Sequence, residues 1–164
     1  MVTTAASREE ILGWLGEIAD PEIPVLSLHD LGIVRDVEVN DRVTVSLTPT
    51  YSGCPATEVI EKSVVETLHE HGIKDVVIKR VLSPAWTTDW ITAEGRSKLR
   101  EYGIAPPEAG GASKRELLFG QRVIPCPRCD SQNTSVVSEF GSTACKASYK
   151  CNACLEPFEY FKCI

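Results

Sequence analysis

Two C-x-x-C turns, 126-CPRC-129 and 151-CNAC-154, constrain what this chain can fold into more than any other stretch of it. Such a turn places two sulfurs on one tight loop, and two turns can close a tetrahedral shell around a single ion. The turns are separated by 21 residues, about one more than the usual upper gap of such sites. Strand-like stretches at Thr134–Phe140, Ser148–Lys150 and Phe158–Lys162, with Gly141 between them, predict a β ribbon within residues 114–164. So small a module buries too little apolar surface to fold well alone, so metal held by Cys126, Cys129, Cys151 and Cys154 should supply much of its stability. Structural zinc is the first expectation, because four thiolates leave no open coordination position. Iron, or an iron–sulfur cluster, is the alternative that thiolates also allow.

No run approaches the roughly 18 apolar residues of a membrane span, and MVTTAASREE lacks the apolar core of a signal peptide. A soluble, cytoplasmic protein is expected. In that reducing compartment seven cysteines, six of them after residue 125, point to metal ligation rather than a disulfide framework. Cys145 and Cys163 read either as small buried side chains or as alternative ligands, and Cys54 stands apart from the rest.

Charge divides the chain. Residues 1–113 carry 10 basic and 18 acidic side chains, residues 114–164 carry 7 and 5, and the total is -6. The change near Gly110–Gly111, with the linker composition of APPEAGGAS, predicts a first domain over 1–104, a linker over 105–113 and the ribbon over 114–164. An acidic balance argues against nucleic acid as the main partner, since affinity for phosphates comes from clustered Lys and Arg.

The first domain reads as α+β, a small three-stranded sheet covered by helices. Ser7 and Glu10 form a capping box ahead of Ile11, Trp14, Leu15 and Ile18 at helical spacing, and Asp20-Pro21 stops that run. After the loop 22–32, two alternating segments flank Asn40-Asp41 as a hairpin. Residues 56–71 predict a helix with Ile60, Val64 and Leu68 inward, followed by a strand over 75–82 and a helix over 92–102 that closes at Gly103.

Cys54 lies in Thr50-Tyr51-Ser52-Gly53-Cys54-Pro55, where Pro55 opens a helix and Cys54 is expected at its N-cap. Unpaired amides and the positive end of the helix dipole would favour a thiolate there, making a reactive or metal-binding sulfur. The bland alternative is a small buried hydrophobe. Asp20 and Glu22 offer carboxylates beside rigid prolines, and Thr48 and Thr50 offer hydroxyl donors. Each also has an ordinary structural use, as helix terminator or strand-end residue. His29, His69 and His71 form no chelating pair.

Asp20-Pro-Glu-Ile-Pro, then Asp30-Leu-Gly-Ile, then Thr50-x-x-x-Cys54-Pro55 resemble the motif set of the MIP-like iron–sulfur assembly domain, over roughly residues 7–103. With the ribbon attached, nearly the whole chain resembles the D components of phenylacetyl-CoA epoxidase systems. The resemblance implies a non-oxygenase accessory protein of phenylacetate degradation that helps mature a metal centre, above all the iron–sulfur cluster of the reductase component. It implies a site of Asp20, Glu22, Thr50 and Cys54, with iron or a cluster held transiently at Cys54. It also implies the other oxygenase components as partners. A homodimer pairing Cys54 residues would let two chains share a cluster transiently.

Three other functions compete. A non-catalytic interaction or scaffold protein of the oxygenase complex would use the ribbon aromatics Phe158, Tyr160 and Phe161. A thiol enzyme would need an activating histidine motif, and none is present. A nucleic-acid ribbon would rest on the mildly basic C-terminal segment.

Overall fold

The computed structural model describes residues 6–51, 53–107 and 123–162. These form two compact units, Met1–Trp86 and Thr87–Ile164.

In the first unit, helix α1 (Arg8–Gly16) starts at a complete capping box. The Ser7 hydroxyl accepts from the Glu10 amide at 3.2 Å, and the Glu10 carboxylate accepts from the Ser7 amide at 2.8 Å. Its apolar face, Ile11 and Leu15, is fully buried. The helix stops before Ile18, because the Leu28 amide takes the Ile18 carbonyl and Ala19 bridges to Ser27. The expected loop contains a short helix α2 (Leu28–Leu31) capped reciprocally by Ser27 and Asp30. Strands β1 (Val34–Val39) and β2 (Val43–Leu47) form the expected antiparallel hairpin. Helix α3 (Ala56–Glu70) then crosses over to β3 (Val76–Arg80), which lies parallel to β2. The order β1-β2-β3 leaves β2 central. Val43, Val45 and Leu47 of β2 are buried, as are Ile60, Val64 and Leu68 of α3. The last three recur every fourth residue and so line one helix face.

In the second unit, a 3-10 turn (Thr88–Trp90) leads to α4 (Ala93–Tyr102), which runs from a Thr92 cap to Gly103. A four-stranded sheet follows in the order β4-β7-β6-β5, built from β4 (Ile104–Ala105), β5 (Thr134–Ser138), β6 (Lys146–Cys151) and β7 (Pro157–Phe161). The strand β4 is not foreseen from the sequence. It pairs Ile104 with Glu159 and Ala105 with Tyr160, so the expected linker begins inside a sheet. A two-residue strand carries no periodicity to detect. The break between the two units, after Trp86, accordingly falls earlier than the expected domain end at 104, and residues 108–113 of the expected linker lie outside the described residues.

The ribbon core is Ala105, Ile124, Cys126, Ala147, Cys151, Phe158 and Tyr160. Phe158, Tyr160 and Phe161, expected as a docking surface under the scaffold reading, are instead buried at 6%, 3% and 1% exposure. Period-2 alternation does not say which face of a strand a small sheet covers. The order β4-β7-β6-β5 makes β7 an interior strand.

Candidate functional site

The four cysteines converge. All their sulfurs lie within 4.8 Å of one another, with Cys126 Sγ 3.8 Å from Cys154 Sγ and Cys129 Sγ 3.6 Å from Cys151 Sγ. A tetrahedron of roughly 2.3 Å zinc–sulfur bonds has edges of about 3.8 Å, so the set fits one ion. Each turn is shaped by its own backbone: the Arg128 amide donates to Cys126 Sγ and the Cys154 amide to Cys151 Sγ, both at 3.4 Å. Asp130 and Leu155, which follow the second cysteine of each turn, take left-handed φ values of 62° and 65°. The first turn is further anchored by an ion pair from Arg100 of α4 to Asp130, two residues 30 apart that no spacing rule connects.

Crowding of four thiols has an electrostatic signature. The amide of Cys154 first, then that of Ala153, overcome burial and draw the Cys151 thiol down to about 6. At Cys129 the amide of Ser131 pulls the other way, yet burial and the sulfurs of Cys151, Cys154 and Cys126 push the thiol up to about 12. One thiolate forms readily at Cys151, and Cys129 and Cys154 resist a second charge at this range. A divalent cation removes that conflict, and the donor set of four sulfurs suits zinc or iron.

The second group of candidates lies in the first unit. Asp20 is buried, and its Oδ1 accepts from the amides of Glu22 at 2.9 Å and Ile23 at 2.8 Å, an Asx turn that shapes the loop. Glu22 is half-buried. A chain of backbone bonds joins this loop to the end of β2: Asp20 to Leu26, Leu28 to Ile18, Ile33 to Leu28, and Thr48 to Ile33. Beyond β2 the chain folds back at Gly53, whose φ of +83° suits glycine, and the Cys54 amide donates to the Tyr51 carbonyl.

Cys54 is a half-exposed free thiol. The expected N-cap moves by one residue, since the cap of α3 is Pro55, which has no capping side chain. Helical φ at a proline is available one residue earlier than the rule for N1 assumes. The Cys54 carbonyl nonetheless accepts from the Thr57 amide at 3.1 Å, so Cys54 stands at the mouth of the helix. Thr50 is half-buried, whereas Thr48 is 1% exposed and its hydroxyl has no hydrogen-bond partner. Cys145 is buried with its sulfur 3.0 Å from the Thr143 hydroxyl, and it is not among the four clustered cysteines; Cys163 lies outside the described residues. No helix among the described residues is long and apolar enough to cross a membrane.

Known proteins match both parts of the chain. A model of the iron–sulfur cluster assembly protein family matches residues 8–78, and a model of the PaaD zinc β ribbon domain matches residues 110–162. A protein of Escherichia coli (strain K12) assigned as the D component of 1,2-phenylacetyl-CoA epoxidase is 51% identical, over 94% of this chain and 92% of its own. An Fe-S protein maturation auxiliary factor of Porphyromonas gingivalis (strain ATCC BAA-308 / W83) is 34% identical over 57% of this chain and 90% of its own. In structure, a DUF59 domain from Bacillus anthracis superposes with a TM-score of 0.53, at 22% identity, over 56% of this chain and 90% of that one. At that identity the likeness speaks for the α+β fold alone.

Proposed function

The chain belongs to the PaaD family, that of the phenylacetyl-CoA epoxidase D component, and on that premise we propose that it is an accessory protein of phenylacetyl-CoA ring epoxidation. Its task is maturation of an iron–sulfur centre rather than oxygenation. The client is the iron–sulfur reductase component, and the setting is the cytoplasm. The observation that carries this reading is Cys54, a half-exposed thiol at the mouth of α3 inside the stretch matched by the iron–sulfur assembly family.

One thiolate cannot hold a cluster permanently, because clusters take four thiolate ligands. Cys54 therefore acts as one ligand of a shared set, to which a second copy of the chain or the client also contributes. Delivery is ligand exchange, in which client thiolates displace Cys54 from iron. Asp20 and Glu22 supply carboxylates from the loop that is tied by backbone hydrogen bonds to Thr48, and Thr50 supplies a hydroxyl on the Cys54 loop. The orphaned hydroxyl of Thr48 supports a polar occupant in this region, since a buried unpaired hydroxyl costs about 1–3 kcal/mol.

In the ribbon, Cys126, Cys129, Cys151 and Cys154 hold structural zinc. Sulfurs all within 4.8 Å suit one ion, whereas a cluster spreads its thiolates over several iron atoms. The test is to replace Cys54 by serine and measure iron and sulfide in the reductase component matured beside it. A depleted client supports the proposal; a fully loaded client overturns it.

A second reading, a scaffold protein without metal transfer, draws on one feature. A groove of about 350 Å³ crosses the ribbon sheet, lined by Tyr102, Val137, Tyr149, Pro157 and Phe158 among others. That reading predicts a loaded client in the Cys54 variant and lost assembly when Tyr149 is replaced by a charged residue.

A further inference from the structure

The four ribbon cysteines are not equivalent. Cys126 and Cys151, the first of each turn, are 0% exposed and belong to the apolar core. Cys129 and Cys154, the second of each turn, are exposed. Two short sulfur–sulfur contacts cross the site, Cys129 to Cys151 at 3.6 Å and Cys154 to Cys126 at 3.8 Å, and the two sulfurs of each turn also lie within 4.8 Å of each other. Each exposed cysteine thus has a buried partner on the opposite turn.

We infer that Cys129 and Cys154 form a thiol modification site for peroxide-class oxidants, and that oxidation there closes cross-turn disulfides and expels the ribbon metal. This inference rests on the reading of the four cysteines as a metal site. With the ion in place all four sulfurs are held as thiolates, so access to solvent decides which pair meets oxidant first. The exposed thiolate attacks one peroxide oxygen, the O–O bond breaks, and sulfenic acid and hydroxide result. The sheltered sulfur across the site then attacks the sulfenic sulfur, forming the S–S bond and expelling hydroxide, which leaves as water. Per disulfide, two thiolates lose two electrons and one peroxide is reduced to two waters, with two protons taken from solvent. A metal that has lost two of four ligands is no longer held in a closed site, and it passes to solvent. A ribbon that depends on its ion for folding energy loses that support in the same event.

The experiment uses the full chain carrying Cys54→Ser, so that the isolated thiol does not consume oxidant. Metal content before oxidation is measured first; absence of one ion per chain would fail the metal-site reading itself. The zinc-loaded protein is then treated with hydrogen peroxide. Metal release is followed with a chromogenic chelator, and disulfides are mapped by mass spectrometry. Release of one zinc per chain with Cys126–Cys154 or Cys129–Cys151 bridges is the expected result. Retained zinc, bridges within a turn, or bridges to Cys145 or Cys163 would overturn the inference. A second measurement needs no variant in the ribbon: limited alkylation of the zinc-loaded chain should label Cys129 and Cys154 about ten-fold faster than Cys126 and Cys151. Equal or reversed labelling contradicts it.

Discussion

The indole of Trp86 donates a 2.7 Å hydrogen bond to the carbonyl of Leu31, across 55 residues of sequence, with both residues buried. It pins the end of the segment after β3 to the end of α2. Trp86→Phe removes the donor and leaves a buried carbonyl unsatisfied, which costs about 1–3 kcal/mol. Urea denaturation followed by circular dichroism should show the midpoint falling with the m-value unchanged. An unshifted midpoint would mean that the bond contributes nothing.

Gly103 ends α4 with a φ of +92°, and a Cβ built there would sit 2.9 Å from a guanidinium nitrogen of Arg128. Gly103→Ala meets both the left-handed backbone cost, about 1–2 kcal/mol, and displacement of Arg128 in the first cysteine turn. The thermal midpoint should fall by about the backbone cost, because the contact is with the flexible guanidinium end of Arg128, which can move aside. Gly72, also at positive φ but with open space around its Cβ, is the control, since Gly72→Ala carries the backbone cost alone.

Glu159 and Lys146 form a 3.2 Å ion pair within the ribbon sheet, with side chains 29% and 7% exposed. Burial alone would push the Glu159 carboxyl up, but the amide and hydroxyl of Ser142 and the Lys146 ammonium outweigh it and hold the group below its ordinary 4.5. A depressed carboxyl stabilises the fold fully above pH 4.5 and loses that contribution as pH falls through the folded value. Glu159→Gln leaves Lys146 buried and unpaired, at the lower end of the roughly 3–5 kcal/mol range for breaking a buried pair, since Glu159 is partly exposed. The stability gap between variant and wild type should be largest near neutrality and close in acid. A gap constant with pH would reject the ion pair as its source.

Removing the ribbon metal with a chelator should unfold the ribbon. The apparent binding free energy of structural zinc, about 10–16 kcal/mol, matches or exceeds the whole stability of a typical domain. Amides of β6 and β7 should lose hydrogen-exchange protection while those of β2, in a unit with its own apolar core, retain it. Cys151→Ser should reproduce the loss without chelator. Protection that survives both would show that the ribbon core stands without the ion.

Local rules reached far in this chain. The Ser7–Glu10 box, the i, i+4 run of Ile60, Val64 and Leu68, the Asn40-Asp41 hairpin and the Thr92-to-Gly103 helix each depend on residues within a few positions of one another, and each is present. The short helix α2 was also legible in principle, because Ser27-x-x-Asp30 is a capping box, but four residues of helix vanish inside a loop reading. The one-residue shift at Pro55 belongs to the same class, an element boundary decided by a single backbone angle.

By itself the sequence determined the four cysteines that converge in the ribbon, the hairpin and helices of the first unit, and a lone cysteine outside both C-x-x-C turns. Tertiary structure alone decided that β4 joins the ribbon sheet, that Phe158 and Tyr160 turn inward, that Arg100 braces the first cysteine turn, and that each turn buries its first cysteine and exposes its second. The division has one physical cause. Propensity, capping and chelate spacing act over a few residues, whereas burial and ion pairing depend on which distant segments share a layer, and that is decided only when the chain packs.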